Sequence, residues 1–212
     1  MAGEAMVHVI DDDEAVRDSL AFMFDAAGLE ARTWESAIAF LAALDEVEHG
    51  CIVTDIRMPD MTGLELVPRL KALCVADPVI VITGHADVPL AVEAMKAGIV
   101  DFIEKPFENQ RLLGAVRDAL ASATSQAAPQ SDEENEERRR IGERIDSLSM
   151  RERQVLDGLV AGHANKVIAY DLGISPRTVE VYRANVMTKM QARSLSELVR
   201  MAIAVGTSAP LH

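Results

Sequence analysis

Short strand-like runs alternate with longer amphipathic stretches through the first half of the chain, and that alternation decides its fold class. The runs are Val7–Ile10, Glu30–Trp34, Ile52–Thr54, Val79–Ile82 and Val100–Ile103. Helical patterns follow each in turn, at Glu14–Ala27, Ser36–Leu44, Leu64–Leu73, Val88–Ala97 and Asn109–Ala121. Strands separated by helices cannot pair through tight hairpins. They pair in parallel, through right-handed crossovers that cover both faces of the sheet. Near-continuous apolar runs such as Val79-Ile80-Val81-Ile82 fit burial on both sides.

A different pattern follows. Residues 122–131 read Ser-Ala-Thr-Ser-Gln-Ala-Ala-Pro-Gln-Ser, too small and polar to build a core, and mark a linker. Asp132–Arg144 is densely charged, with Glu134 and Glu136 each four residues before an arginine (Arg138, Arg140). That order supports a short solvated helix. From Ser147 onward apolar residues recur at helical spacing, and turn signals at Gly162, Gly173–Pro176 and Ala192–Ser194 cut the segment into four helices. The expected organisation is an α/β domain over residues 1–122, a partly helical linker over 123–145 and an all-α domain over 146–212.

The net charge of −13 argues against a general nucleic-acid coat, but it is unevenly spread. Residues 1–123 carry 22 acidic and nine basic side chains, whereas residues 146–212 carry six and eight. Only the C-terminal part is suited to meet a polyanion. No run approaches the ~18 apolar residues of a membrane helix. The N-terminus runs into acidic residues and lacks the basic start of a secretory signal. A cytoplasmic protein with no membrane association is expected, with Cys51 and Cys74 filling apolar space in a reducing compartment.

In an open parallel sheet, ligands bind beyond the carboxyl ends of the strands, near the point where strand order reverses. Four of the five strands end in polar residues: Asp11-Asp12-Asp13, Asp55, Thr83-Gly84 and Glu104-Lys105-Pro106. All would lie on one edge. Carboxylates gathered there repel one another and need a cation, and oxygen ligands with room for water suit Mg²⁺. A lysine and a hydroxyl in the same site suit a phosphoryl group. Asp55, alone on the central strand, is the natural nucleophile for phosphoryl transfer.

These residues resemble the receiver domain of two-component response regulators. The resemblance runs from about residue 6 to 122. It is carried by Ile10-Asp11-Asp12-Asp13-Glu14, Thr54-Asp55-Ile56-Arg57-Met58-Pro59-Asp60-Met61-Thr62-Gly63, Ile82-Thr83-Gly84-His85 and Glu104-Lys105-Pro106-Phe107. It implies a flavodoxin-like (βα)5 fold with parallel strand order 2-1-3-4-5, and phosphorylation of Asp55 by a sensor histidine kinase. By the same resemblance, Asp12 and Asp55 coordinate Mg²⁺ with the backbone carbonyl of Arg57, Asp11 acts through water, and Thr83 and Lys105 contact the phosphoryl oxygens. Phe102 matches the switch aromatic, and Pro106 follows a cis peptide bond. Asp13 is a surplus acid suited to opening the first helix at its positive end. Phosphatases with an aspartate nucleophile place a second aspartate two residues later as general acid. Arg57 stands there, so the pocket reads as a switch and not as an enzyme.

In the C-terminal part, Asn165–Leu172, a turn at Gly173-Ile174-Ser175-Pro176 and Arg177–Gln191 form two helices joined so that the second can enter a major groove. Arg177, Glu180, Val181, Ala184 and Thr188 recur at three- and four-residue steps on one face; Val179, Tyr182, Val186 and Met190 fall on another and would pack. With Leu148–Leu156 and Ala161–Ala169, this segment resembles the LuxR-type helix-turn-helix, an all-α four-helix domain, over residues 146–206. Lys166, Thr178, Arg183 and Lys189 are the candidates for phosphate contacts, and Arg177, Glu180, Val181 and Ala184 for base edges. Both halves together are most similar to the FixJ subgroup of regulators. That likeness implies a homodimer when phosphorylated, formed through Val88–Ile103 (Val88, Val92, Met95, Lys96 and Asp101), which binds paired half-sites on DNA and acts with RNA polymerase.

Overall fold

The computed structural model describes residues 6–84, 88–125 and 132–205. Contacts divide the chain into two compact units, Met1–His85 with Ala97–Ala127, and Ala86–Lys96 with Ala128–His212. Most of the expected linker, residues 126–131, lies outside the described residues.

Strands β1 (Met6–Ile10), β2 (Glu30–Trp34), β3 (Gly50–Asp55), β4 (Val79–Thr83) and β5 (Asp101–Glu104) form one parallel sheet in the order β2-β1-β3-β4-β5. Helices α1 (Glu14–Ala26), α2 (Ala37–Ala42), α3 (Gly63–Ala72), α4 (Val88–Ala97) and α5 (Asn109–Ser125) alternate with the strands, the α/β architecture expected of a receiver. One core cluster joins Val7 and Val9 of β1, Val53 of β3, Ile80 and Ile82 of β4 and Leu112 and Val116 of α5. The register pairs Ile10 with Thr54 and Asp55 with Ile82, so the strand-end acids emerge side by side.

Local boundaries differ from expectation where packing overrides pattern. Strand β3 begins at Gly50, because a Cβ there would lie 2.2 Å from the Met6 carbonyl oxygen. Only glycine lets β3 approach β1 so closely, although in sequence it reads as a breaker. Helix α5 runs past Ala121 to Ser125, into the segment read as linker. The two cysteines part company. Cys51 is fully buried in β3, and burial pushes its thiol up to about 12. Cys74 is exposed, in the left-handed turn (φ 59°) that ends α3, where it fills no core.

A buried histidine crosses the other face of the sheet. His8 of β1 packs with Trp34 and Phe40, its Nε2 lies 2.8 Å from the Glu48 carbonyl oxygen, and the Trp34 indole N–H donates to Nδ1 at 3.4 Å. That pattern fits the neutral ring with its proton on Nε2. Burial holds its pKa below the ordinary 6.5, against the raising effect of the Glu48 hydrogen bond and the Asp77 charge; Arg32 and His49 lower it further. Since the unfolded chain takes up a proton first, stability is full above about pH 6.5 and falls as the pH drops toward the lower folded pKa. Denaturant midpoints measured from pH 7.5 to 5 should fall for the wild type and fall less for His8→Gln; parallel curves would exclude His8 as the cause.

In the second unit, α6 (Asp132–Asp146) precedes α7 (Met150–Val160), α8 (Asn165–Leu172), α9 (Pro176–Met190) and α10 (Leu195–Ala204). The last four are the expected bundle, closed over Val155, Leu156, Leu159, Ile168, Val179, Val186, Met190, Leu198 and Val199. Helix α6 is no solvated tether. Its Ile141 and Ile145, four residues apart, are buried, it contacts α9 and α10, and Arg144 donates to the Met190 carbonyl at 3.3 Å. Its outer face carries the expected charge ladder, with Glu136 pairing Arg139 and Arg140. Glu134 lies among residues whose side chains are outside the description.

Candidate functional site

The sheet brings three side chains together at its carboxyl edge. Asp11 (2% exposed) follows β1, Asp55 (8%) ends β3, and Lys105 follows β5. The Lys105 ammonium donates to Asp55 Oδ1 at 2.8 Å and to Asp11 Oδ2 at 3.0 Å, bridging both. Burial alone would lower the lysine pKa, but the hydrogen bonds to Asp55 and Asp11 and their charges outweigh it and raise it above 10.5. The Arg57 amide donates to Asp55 Oδ2 at 2.6 Å, so both oxygens of the central carboxylate are held. Thr83 is buried at the end of β4, and its carbonyl accepts from the Lys105 amide at 2.7 Å. The Lys105–Pro106 peptide is cis.

The other acids divide by role. Asp13 is the N-cap of α1 and accepts from the Ala15 amide at 2.9 Å, while its own amide donates to Asp11 Oδ1 at 3.0 Å. Asp12 is exposed. Asp11, Asp12 and Asp55 against the single Lys105 leave a surplus of negative charge at a largely buried edge, which favours a divalent cation. Among the described residues, no three His, Cys, Asp or Glu side chains converge closely enough to cage an ion. A site with few protein carboxylates and room for water suits Mg²⁺ better than ions needing a full protein shell.

Two supporting roles are not legible in the sequence. Arg17 of α1 donates through Nη1 to the Asp11 carbonyl at 2.8 Å. Gly63 opens α3 directly against the site, where a Cβ would lie 2.3 Å from the Asp55 carbonyl oxygen. Nothing in the sequence signals the first. The second sits one residue after Thr62, the cap whose hydroxyl and Glu65 form a capping box, so a glycine at this start is locally unremarkable. Gly63→Ala should cost about 1–3 kcal/mol, as overpacking does, and urea unfolding that matched the wild type would show that the backbone yields freely.

On the flank of the site, Phe102 is buried in β5 and its amide donates to Asp101 Oδ1 at 2.8 Å. Of the residues expected at the dimer surface, Val92 and Met95 are buried on α4. Asp101 is engaged by Arg111 at 2.6 Å, Lys96 is exposed, and the Val88 side chain lies outside the description.

In the second unit the turn before α9 is built as its residues dictate. Gly173 closes α8 in the left-handed conformation (φ 63°), Ser175 caps α9 by accepting from the Thr178 amide at 3.1 Å, and Pro176 takes the first helical position. Val179, Val186 and Met190 are buried and Tyr182 is half-buried. Arg177, Glu180, Val181 and Ala184 line one shallow concavity of about 440 Å³ on the opposite side. Lys166 is exposed at the start of α8, Arg183 is half-buried, and the Thr178 hydroxyl lies 2.8 Å from that of Ser175. The Lys189 ammonium lies 2.6 Å from the buried Glu152, which also forms the capping box of α7 with Ser149. Ser149-x-x-Glu152 is a readable cap signature; its partner on α9 is not.

Residues 7–117 match the family of response regulator receiver domains, and residues 146–202 match the bacterial regulatory proteins of the luxR family. The chain belongs to the response regulators. It is a two-component transcription regulator that joins a receiver to a LuxR-type DNA-binding domain, and not an enzyme in the ordinary sense.

FixJ regulators are among its relatives. The transcriptional regulatory protein FixJ of Azorhizobium caulinodans is 57% identical over 202 residues, covering 95% of this chain and 93% of the relative. FixJ of Bradyrhizobium diazoefficiens is 53% identical over 210 residues, covering 97% and 98%. The crystal structure of full-length FixJ from B. japonicum aligns with a TM-score of 0.55 at 52% identity, over 96% of this chain and 98% of that one. Among the described residues, no helix is long and apolar enough to cross a membrane.

Proposed function

We propose that Asp55 accepts a phosphoryl group from the phosphohistidine of a sensor kinase. An Asp55 carboxylate oxygen attacks phosphorus, the O–P bond forms as the P–N bond breaks, and the imidazole leaves. The observation that carries this reading is the Lys105 ammonium bridging Asp55 and Asp11, which sets a mobile cation beside the nucleophile. Asp11, Asp12, Asp55 and the Arg57 carbonyl would hold Mg²⁺, which when bound neutralises charge on the transferring group. Lys105 passes from the carboxylates to a phosphoryl oxygen, and Thr83 donates its hydroxyl to another. Arg57 in place of a second aspartate leaves no general acid for rapid hydrolysis, so the acyl phosphate is lost slowly.

The output follows from contacts that differ between the two states. Thr83 moving toward the phosphate makes room for Phe102, and the α4–β5 surface, with Lys96 and Asp101 as its polar members, pairs two receivers. Two effector domains then bind paired half-sites and gain affinity through effective concentration. Arg177, Glu180, Val181 and Ala184 face base edges, and Lys166, Thr178 and Arg183 face phosphates. The bound dimer contacts RNA polymerase in the cytoplasm to activate transcription. Asp55→Asn should bind a target promoter as weakly as the unphosphorylated protein, while wild type treated with acetyl phosphate binds at least tenfold more tightly in fluorescence anisotropy. Equal affinities for the two would refute the coupling.

A further inference from the structure

We infer that Arg17 is a positioning residue for the divalent-cation site, acting by clamping the peptide plane between Asp11 and Asp12. The inference rests on the reading that Asp11 and Asp12 hold the cation. Every polar atom of Asp11 has a partner: its amide donates to the Trp34 carbonyl at 3.2 Å, its Oδ1 accepts from the Asp13 amide, and its Oδ2 accepts from Lys105. Its carbonyl accepts from Arg17 Nη1 at 2.8 Å. Asp12 has no comparable support. It is exposed, and its carboxylate has no hydrogen bond or ion pair among the described residues. The aim of that carboxylate is set by backbone alone, and the one side chain that fixes the preceding peptide plane is Arg17.

The position of Arg17 argues against an incidental contact. It stands in the opening turns of α1, whose amide is bonded to the Asp13 carbonyl, near the positive end of the helix dipole, where a cation is disfavoured. The guanidinium is half-buried and spends its donor on a backbone oxygen, although Asp18 and Glu14 are near in sequence. Such placement costs stability, which the bond to the Asp11 carbonyl has to offset. A rigid second layer behind weakly supported ligands raises metal affinity, and its loss costs about 10- to 100-fold.

Two opposed effects make the idea testable. As a bare charge, Arg17 repels a divalent cation, so its removal would tighten binding. As a clamp, its removal would weaken binding. Calorimetric titration of MgCl₂ into the full chain, wild type and Arg17→Met, separates them, with Trp34 fluorescence as a second readout from the strand paired to Asp11. The clamp predicts about a tenfold weaker Kd for Arg17→Met. Arg17→Lys, which keeps charge and reach but loses the fork, should recover part of the loss. If Arg17→Met does not fold, Arg17→Gln, which loses both the charge and the reach, takes its place: a weaker Kd supports the inference, and an unchanged or tighter one overturns it. Unchanged or tighter binding by Arg17→Met overturns it while leaving the cation site intact. A wild type that shows no Mg²⁺ binding, or an Asp12→Asn variant that binds as well as wild type, overturns the cation-site reading and this inference with it.

Discussion

Lys105→Met should bind Mg²⁺ about ten times more tightly than the wild type, and yet lose its DNA response to phosphorylation. The ammonium lies 2.8 Å from Asp55 and 3.0 Å from Asp11, where an incoming cation has to displace it or share the carboxylates with it. At an effective dielectric of about 20, each such contact is worth on the order of 5 kcal/mol before rehydration of the freed lysine. Most of that is returned when the ammonium finds water or a phosphoryl oxygen. A net gain of about 1.4 kcal/mol, which is tenfold in affinity, is the expected remainder. The raised lysine pKa keeps the ammonium charged up to the ordinary 10.5 and beyond, and deprotonation removes it only as the pH rises through the higher folded value. The second half of the expectation comes from the same atom. Without Lys105 the phosphoryl group on Asp55 has lost the cation that links it to β5, where Phe102 sits. Calorimetry and promoter anisotropy with and without acetyl phosphate read the two halves separately. An unchanged Mg²⁺ affinity shows that the lysine does not compete. A full DNA response shows that it does not transmit.

The gathering of these side chains was legible because strand ends of a parallel sheet share an edge whatever the details of packing. Asp11, Asp55, Thr83 and Lys105 are far apart in sequence, but each follows an apolar run, and topology alone puts them together. What the sequence hid falls into two kinds. Some signals are ambiguous locally: the apolar run marks the third strand only from Ile52, whereas β3 starts at Gly50, where it closely approaches Met6. The Ile141 and Ile145 stripe of α6 is outnumbered by glutamate and arginine, so the helix looks solvated although one edge is buried. Other features are tertiary in origin. Arg17 reaches a backbone carbonyl six residues back, and Glu152 reaches Lys189 across 37 residues; no periodicity encodes either. Exposed basic residues on a recognition helix look alike in sequence, and only packing separates those free for DNA from those already paired.

That separation governs the second large effect, at Lys189. If its ammonium is an anchor between α9 and α7, Lys189→Ala and Glu152→Ala should each lower the melting temperature of the effector domain, and the double variant should fall little further. The Glu152 carboxylate is held at a pKa of about 2, first by the Lys189 hydrogen bond and then by the Ser149 amide and hydroxyl of the capping box. Its ordinary value is 4.5, so the stability it contributes is complete above about pH 4.5 and lost as the pH falls toward 2. The deficits of both variants should therefore shrink over that window, each converging on the wild type in acid. The DNA side gives an independent reading. A lysine that neutralises a phosphate contributes about 0.9 to the slope of log affinity against log salt. Arg183→Ala, at a candidate phosphate contact with no ion pair among the described residues, should reduce that slope by about one, whereas Lys189→Ala should leave it unchanged while weakening affinity uniformly through a loosened α9. A reduced salt slope with no loss of melting temperature would return Lys189 to the phosphate contacts and leave Glu152 as a cap alone.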